Sequence, residues 1–341
     1  MMNSLTYLNR GCPRKCQYCT LRDAKGVGKE LTPEQWIRAF EILHELGVDF
    51  NLILGNETWS LGEDLLTILT DNKITYAIYT TCPEPLFSRY RERFFDSGVI
   101  DNLSCGLDYP PLSIEHPLQD DDSYKKSMDA WKGLLWLKEN YPDMDSQGNI
   151  TAHKHNLKYI PALIDELSAH NIFSGVNFIH WNKDGGFDFF PAREVIKGML
   201  FTEKDLPEIR RIISIVLEKP GLLQIPEILT IDPEILISMG WHCQGDPYGG
   251  PTIDADGTLR VCGYRKGTRT CKLTIFDLPK RLDDWKEAVY LDAMDCAGCH
   301  WTYPWMFKHW NTTDEEMGKI VFSKHAGTHI PKDKWSKRKI Q

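Results

Sequence analysis

Long apolar runs are missing from this 341-residue chain. No stretch approaches the roughly 20 apolar residues that span a bilayer, which argues against a membrane protein. No charged-then-apolar leader precedes Cys12, so no secretory signal is expected and the thiols are expected in reducing, cytosolic surroundings. Positive charge is also scarce. A formal net charge of -8 argues against nonspecific attraction to nucleic acid as the basis of function. The basic residues near the end (Lys332, Lys334, Lys337, Arg338, Lys339) read as a solvated or frayed tail. Internal repeats and low-complexity stretches are absent too. What is present, and needs explaining in a reducing compartment, is ten cysteines.

From about residue 4 to residue 190 strand-like and helix-like stretches alternate. Thr32, Pro33 and Gln35 form a helix-start signature, with a capping threonine, a proline in the first turn and a glutamine completing the box. Trp36, Ala39, Phe40 and Leu43 follow at helical spacing, and Gly47 ends the run. Strands are expected near 5–8, 50–54, 76–80, 103–107, 149–153 and 175–180. Helices are expected at 65–69, 86–97, 123–139 and 157–168. This order implies parallel strands with crossover helices, as a partly closed barrel or an open sheet, with functional residues at the C-terminal strand ends. Beyond residue 190 the pattern changes. One long helix is expected at 202–217, a tight hairpin around Ile253–Leu259 with Gly257 at positive φ, and a helix at 278–294.

Cys12, Cys16 and Cys19 are spaced C-x3-C-x2-C. Three soft thiolates this close suit an iron–sulfur cluster with one iron left open, whereas structural zinc takes four ligands, and no fourth is evident nearby. The segment resembles the signature of the radical S-adenosylmethionine (SAM) superfamily, including the aromatic Tyr18 before the third cysteine. The resemblance implies a partial (β/α)6 barrel and a [4Fe–4S] cluster whose open iron is chelated by SAM. It also implies reductive cleavage of SAM to a 5′-deoxyadenosyl radical that abstracts hydrogen from substrate. It places Gly55, Asn56 and Glu57 at the turn that holds the SAM ammonium, with Asn56 where the family has glycine. Thr81 and Asp108 fall at strand ends near the ribose, with Gly106 where relatives often have serine. His153 falls in the region of the methionyl carboxylate or adenine, and Asn156 reads equally as a helix cap.

A second set, Cys243, Cys262, Cys296 and Cys299, supplies four thiolates that the hairpin and the final helix can bring together. The C-x13-G-x4-C element with a later C-x2-C resembles the twitch module, a shortened relative of the SPASM domain, and implies an auxiliary [4Fe–4S] cluster. Structural zinc is the rival reading. Cys271 is expected as an ordinary strand cysteine, with replacement of one of the four ligands or a place near substrate as the alternatives, and Cys82 and Cys105 as core thiols. The expected architecture is therefore α/β. A partial (β/α)6 barrel occupies 1–200, a helical linker 201–234, a small Cys-rich α+β module 235–310 and a tail 311–341.

His180, after the sixth strand, is the candidate catalytic base. The aromatic run Trp301, Tyr303, Trp305, Phe307 and Trp310 is expected to pack the small module on the barrel. The resemblance implies a radical oxidation, dehydrogenation or rearrangement, with an external electron donor such as flavodoxin or ferredoxin. Peptide maturases of this group often carry an N-terminal leader-binding domain. Only eleven residues precede Cys12, which tilts the expectation toward a small polar substrate such as a sugar or nucleoside. A peptide-modifying maturase and a non-catalytic zinc-stapled binding protein are the alternatives.

Overall fold

The computed structural model describes residues 2–10, 12, 14, 16, 18–19, 29–54, 59, 62–72, 75–110, 122–179, 181, 194–218, 232–238, 250–263 and 265–296. In chain order these form β1 (Met2–Tyr7), α1 (Pro33–Glu45), β2 (Val48–Leu54), α2 (Gly62–Thr70), β3 (Thr75–Thr80), α3 (Leu86–Asp96), β4 (Ile100–Gly106), α4 (Asp122–Asn140), β5 (Asp145–Ala152), α5 (Ile160–Ala169) and β6 (Phe173–Phe178). There follow α6 (Glu194–Lys197), α7 (Leu206–Glu218), α8 (Pro233–Ile237), β7 (Thr252–Ile253), β8 (Leu259–Arg260) and α9 (Leu278–Met294).

The first helix forms as its sequence dictates. The Gln35 amide donates to Thr32 Oγ1 at 3.3 Å and the Thr32 amide donates to Gln35 Oε1 at 2.9 Å, a reciprocal cap. Trp36, Ala39, Phe40 and Leu43 are buried, each large apolar side chain contributing about 1.5–3 kcal/mol. Phe40 meets Tyr76 of β3 edge-on at 5.5 Å. Helix 157–168 begins differently from expectation. Leu157–Tyr159 is a 3-10 turn, and the α-helix starts only with Pro161 in its first turn, where a missing amide hydrogen costs nothing.

The strands lie in one sheet of order β6-β5-β4-β3-β2-β1-β7-β8, with β1 to β6 all parallel. This is the expected α/β architecture. One face is covered by helices. A Cβ on Gly148 would stand 2.8 Å from Leu167 of α5, so the even-numbered residues of β5 face outward. Ser104, Gly106, Gln147, Asn149 and Thr151 therefore share the opposite, inner face.

The expected hairpin is present, with Gly257 at φ +80°. It is not detached from the barrel. β7 pairs in parallel with β1 (Leu5↔Thr252, Thr6↔Ile253), and β8 returns antiparallel. Ile253, Leu259, Leu273, Ile275, Leu278 and Trp285 belong to the same buried cluster as the barrel residues.

Asp292 on α9 fastens the chain after the hairpin. Its carboxylate, buried, accepts from the Arg269 amide at 3.0 Å, the Thr270 amide and hydroxyl at 2.8 Å each, and Arg269 Nη1 at 3.0 Å. These donors curl Thr270–Lys272 into a 3-10 turn, so Cys271 stands in a turn rather than in the expected strand. Cys82 and Cys105 are core thiols as expected, with sulfurs 3.1 Å apart.

Candidate active site

The three cysteines follow β1, whose C-terminal end is also the end of β4 and β5 where polar side chains collect. Cys16 is buried, and Cys12 and Cys19 are half-buried. The Cys19 amide donates to the Cys16 carbonyl at 3.2 Å, and the Arg14 amide approaches Cys12 Sγ at 3.4 Å. Two side chains of the segment reach α4 and β4. The Arg14 guanidinium pairs with Asp129 of α4. The Tyr18 hydroxyl donates to Asp108 and accepts from Lys126 of α4, which also pairs with Asp108.

Asp108 is fully enclosed. Its second carboxylate oxygen accepts from the Thr151 amide at 2.9 Å, and its own amide donates to Ser127 Oγ at 3.0 Å. Both carboxylate oxygens are thus engaged within the protein. Asn156 is not the expected cap. Its Nδ2 donates to the carbonyls of Asp108 (3.2 Å) and Thr151 (2.9 Å), and its Oδ1 accepts from the His153 amide (2.8 Å). It ties the ends of β4 and β5 together through those two carbonyls.

The electrostatics follow from this enclosure. Burial alone would lower the Lys126 pKa, but the negative charge of Asp108, the Cys16 and Cys19 thiols and the hydrogen bond to Asp108 raise it, so the ammonium persists. Burial, then Asp108, holds the Tyr18 phenol well above its ordinary value. His153 is pushed down to about 4, chiefly by burial, with Asp108 opposing. It is therefore a neutral imidazole at pH 7. Its Nδ1 accepts from the His155 amide at 3.3 Å, which assigns the hydrogen to Nε2. That Nε2 is buried with no hydrogen-bond partner among the described residues, and the ring centroid lies 5.6 Å from that of Tyr18.

Of the residues expected from sequence, Tyr18, Asp108 and His153 converge beside the cysteine segment, and Thr81 follows β3, half-buried. Cys262 and Cys296 are half-buried thiols, Cys262 next to Gly263, whose carbonyl accepts from the Tyr7 hydroxyl at 3.0 Å. Gly55, Asn56, Glu57, His180, Cys243, Cys299 and the aromatic run after residue 300 lie outside the described residues. Sequence reasoning missed Lys126. The signal was Gly106, noted as a departure from the family. A Cβ there would stand 2.9 Å from Lys126 Nζ.

Comparison with known proteins identifies a domain within the chain. Residues 6–167 match the model of the Radical SAM superfamily. The chain carries a radical SAM domain. A curated, uncharacterized protein of Archaeoglobus fulgidus is 21% identical over 189 residues, 54% of this chain and 43% of its own length. Among solved structures, Streptococcus suis SuiB bound to its precursor peptide SuiA superposes with a TM-score of 0.60 at 18% identity, covering 85% of this chain and 65% of that one. Native anSMEcpe with bound AdoMet and a peptide gives 0.53 at 13% identity, covering 86% and 84%. These likenesses show the fold. The chain spans less than half of the Archaeoglobus relative and about two thirds of SuiB.

The radical SAM domain implies SAM and a [4Fe–4S] cluster, and the residues present fit both. The donors are three thiols, two of them within electrostatic reach of the buried Lys126 ammonium, and the His153 ring, whose Nε2–H has no hydrogen-bond partner among the described residues, stands next to Tyr18. Among the described residues no three His, Cys, Asp or Glu side chains converge as around a single metal ion. No helix of the described residues is long and apolar enough to cross a membrane.

Proposed function

We propose that the protein is a radical SAM enzyme that oxidises, dehydrogenates or rearranges a small polar molecule, a sugar or nucleoside. The observation that carries this reading is His153, a buried neutral imidazole whose ring stands beside Tyr18 of the three-cysteine segment and whose Nε2–H has no partner among the described residues. When bound, the cluster and SAM supply a 5′-deoxyadenosyl radical that takes a hydrogen atom from the substrate.

Cys12, Cys16 and Cys19 hold the cluster in this reading. Lys126 offers its ammonium, and His153 its Nε2–H, to the carboxylate or adenine of SAM. Asp108 fixes Lys126 and Tyr18 rather than meeting the ribose directly, because both its oxygens are already bonded. Thr81 and the Gly55-Asn56-Glu57 turn remain the assigned ribose and ammonium contacts, and His180 the assigned base. Cys243, Cys262, Cys296 and Cys299 would hold an auxiliary [4Fe–4S] cluster, which would supply an electron acceptor, and an external protein such as flavodoxin or ferredoxin would be the electron donor.

The polar substrate is supported by the inner face of the sheet. Ser104 Oγ and Asn102 Nδ2 are buried there without partners among the described residues, and Asn177 Nδ2 donates to Asn149 Oδ1 at 2.5 Å. Orphaned donors and acceptors favour a ligand rich in hydroxyls. A peptide substrate is the second reading, favoured by the peptides bound in the two structures of similar fold.

The deciding experiment is anaerobic reconstitution with iron and sulfide counted per chain, then reduction with SAM. About eight irons and 5′-deoxyadenosine support the reading. Zinc with no cleavage sinks it and leaves a metal-stapled binding protein.

A further inference from the structure

We propose that the β7–β8 hairpin sets the position of the cysteine segment for SAM, with Asp254 as the positioning residue acting through Arg10. Arg10 stands two residues before Cys12. Its Nε donates to Asp254 Oδ1 at 3.0 Å, and its Nη2 pairs with Oδ2. The two side chains are 12% and 3% exposed, so this ion pair, with its one hydrogen bond from Nε, operates away from water, where charges interact strongly, and buried Arg260 stands 3.9 Å from the same carboxylate. The next hairpin residue grips the other side of the segment. The Leu31 amide donates to the Ala255 carbonyl at 2.8 Å. The Arg10 amide donates to Glu30 Oε1 at 2.8 Å and draws the two flanks together. Consecutive residues of the hairpin, 254 and 255, therefore hold both ends of the stretch that carries Cys12, Cys16 and Cys19.

Docking of the hairpin on the sheet does not by itself require this ion pair. β7 is already joined to β1 through Leu5↔Thr252 and Thr6↔Ile253, and the Leu5 amide donates to the Pro251 carbonyl at 3.0 Å. A buried carboxylate opposite a guanidinium contributes orientation more than stability, since a well-packed apolar pair serves stability about equally well. The remaining anchors act within the segment: Arg14 on Asp129, and Tyr18 on Asp108 and Lys126. With those intact the cysteines still collect a cluster. Without Asp254 the Arg10 flank is free to shift while Leu31 stays on Ala255, and chelation of SAM loses its geometry.

The proposal rests on the radical SAM domain and holds whether the C-terminal cysteines carry a cluster, zinc or nothing. Its test uses the full-length chain, reconstituted anaerobically, as parent, Asp254→Asn and the paired variant Arg10→Met with Asp254→Leu. The pair removes both charges of the ion pair together; Arg260, buried 3.9 Å from Asp254, loses a carboxylate neighbour, and the melting temperature reports that cost separately from SAM affinity. Iron per chain, melting temperature, the electron paramagnetic resonance of the reduced cluster with and without SAM, and SAM affinity by equilibrium dialysis are measured. In the paired variant, iron is expected to stay at the parent value and the chain to remain folded at the assay temperature, with a lowered melting temperature from Arg260 alone. SAM affinity is expected to fall about 10–100-fold, the range found when a residue supporting a metal site is lost. The spectral change produced by SAM should shift to correspondingly higher concentrations. Parent-like affinity in both variants overturns the proposal, as does a loss of SAM response that only tracks lost iron or lost folding in the paired variant. A parent that binds iron but shows no response to SAM overturns the enzyme reading and this proposal together.

Discussion

A Cβ on Gly106 would stand 2.9 Å from Lys126 Nζ, so the bare backbone at the end of β4 is what admits the lysine to Asp108 and Tyr18. Gly106→Ala is expected to displace the ammonium and leave the fold in place, since the atom that must move ends a flexible side chain. Formation of 5′-deoxyadenosine should fall roughly tenfold, with thermal stability lowered by about 1–3 kcal/mol as the enclosed Asp108 carboxylate loses its ammonium. A kinetic assay beside a thermal melt checks it. Unchanged cleavage would mean that Lys126 has no part in SAM binding.

Replacing any one of Cys12, Cys16 and Cys19 by alanine is expected to abolish 5′-deoxyadenosine formation, because a three-thiolate site has no spare ligand. Retained reductive cleavage in any of the three refutes the cluster assignment. Replacing Cys296 and Cys299 together should lower iron per chain and leave the first cluster's spectrum. Unchanged iron would show the second ligand set to be wrong.

His153 makes stability depend on pH. Its native pKa is pushed down to about 4 from an ordinary 6.5, so between those values the unfolded chain takes up a proton that the native protein refuses. The stabilisation is whole above pH 6.5 and is lost as pH falls toward 4, amounting to about 3 kcal/mol. Urea unfolding of the metal-free chain at pH 7 and pH 4.5, compared with His153→Gln, isolates this contribution. The variant should show the shallower pH dependence. Equal slopes would mean that the imidazole is not buried in solution.

Asp292→Ala should destabilise the protein by about 1–3 kcal/mol, since it leaves the buried Thr270 amide and hydroxyl without their acceptor. Burial would raise the Asp292 pKa, but the Arg269 and Thr270 amides, the Thr270 hydroxyl and the Arg269 guanidinium more than offset it and hold it low. Its contribution is therefore present above the ordinary aspartate range and lost as pH falls through the native value. A thermal melt measures the cost, and amide exchange at Thr270 locates it. A cost under about 1 kcal/mol would mean that the loop holds without the carboxylate.

Much of the frame was legible because its signals are local. The Thr32–Gln35 cap, the burial of Trp36, Ala39, Phe40 and Leu43, and the turn at Gly257 depend on residues within one helical turn or one hairpin of each other. Strand edges shifted by a few residues, as β5 shows by beginning at Asp145 rather than 149, because its polar first half lacks the apolar alternation that marks a strand. Asn156 and Cys271 were misread for the opposite reason. Their surroundings are set by Asp108 and Thr151 in one case and by Asp292 in the other, none of them a cap or strand neighbour.

The sequence by itself determined the order of strands and helices, the cysteine spacing and hence the radical SAM character of residues 6–167, since helical and strand periods and chelate spacing are short-range properties of the chain. Only the tertiary structure decided which charges meet. Lys126 reaches Tyr18 across 108 residues, and Arg10 reaches Asp254 across 244. Those pairings follow from the parallel order of β1 to β6 and from the docking of β7 on β1, and no local preference along the chain encodes them.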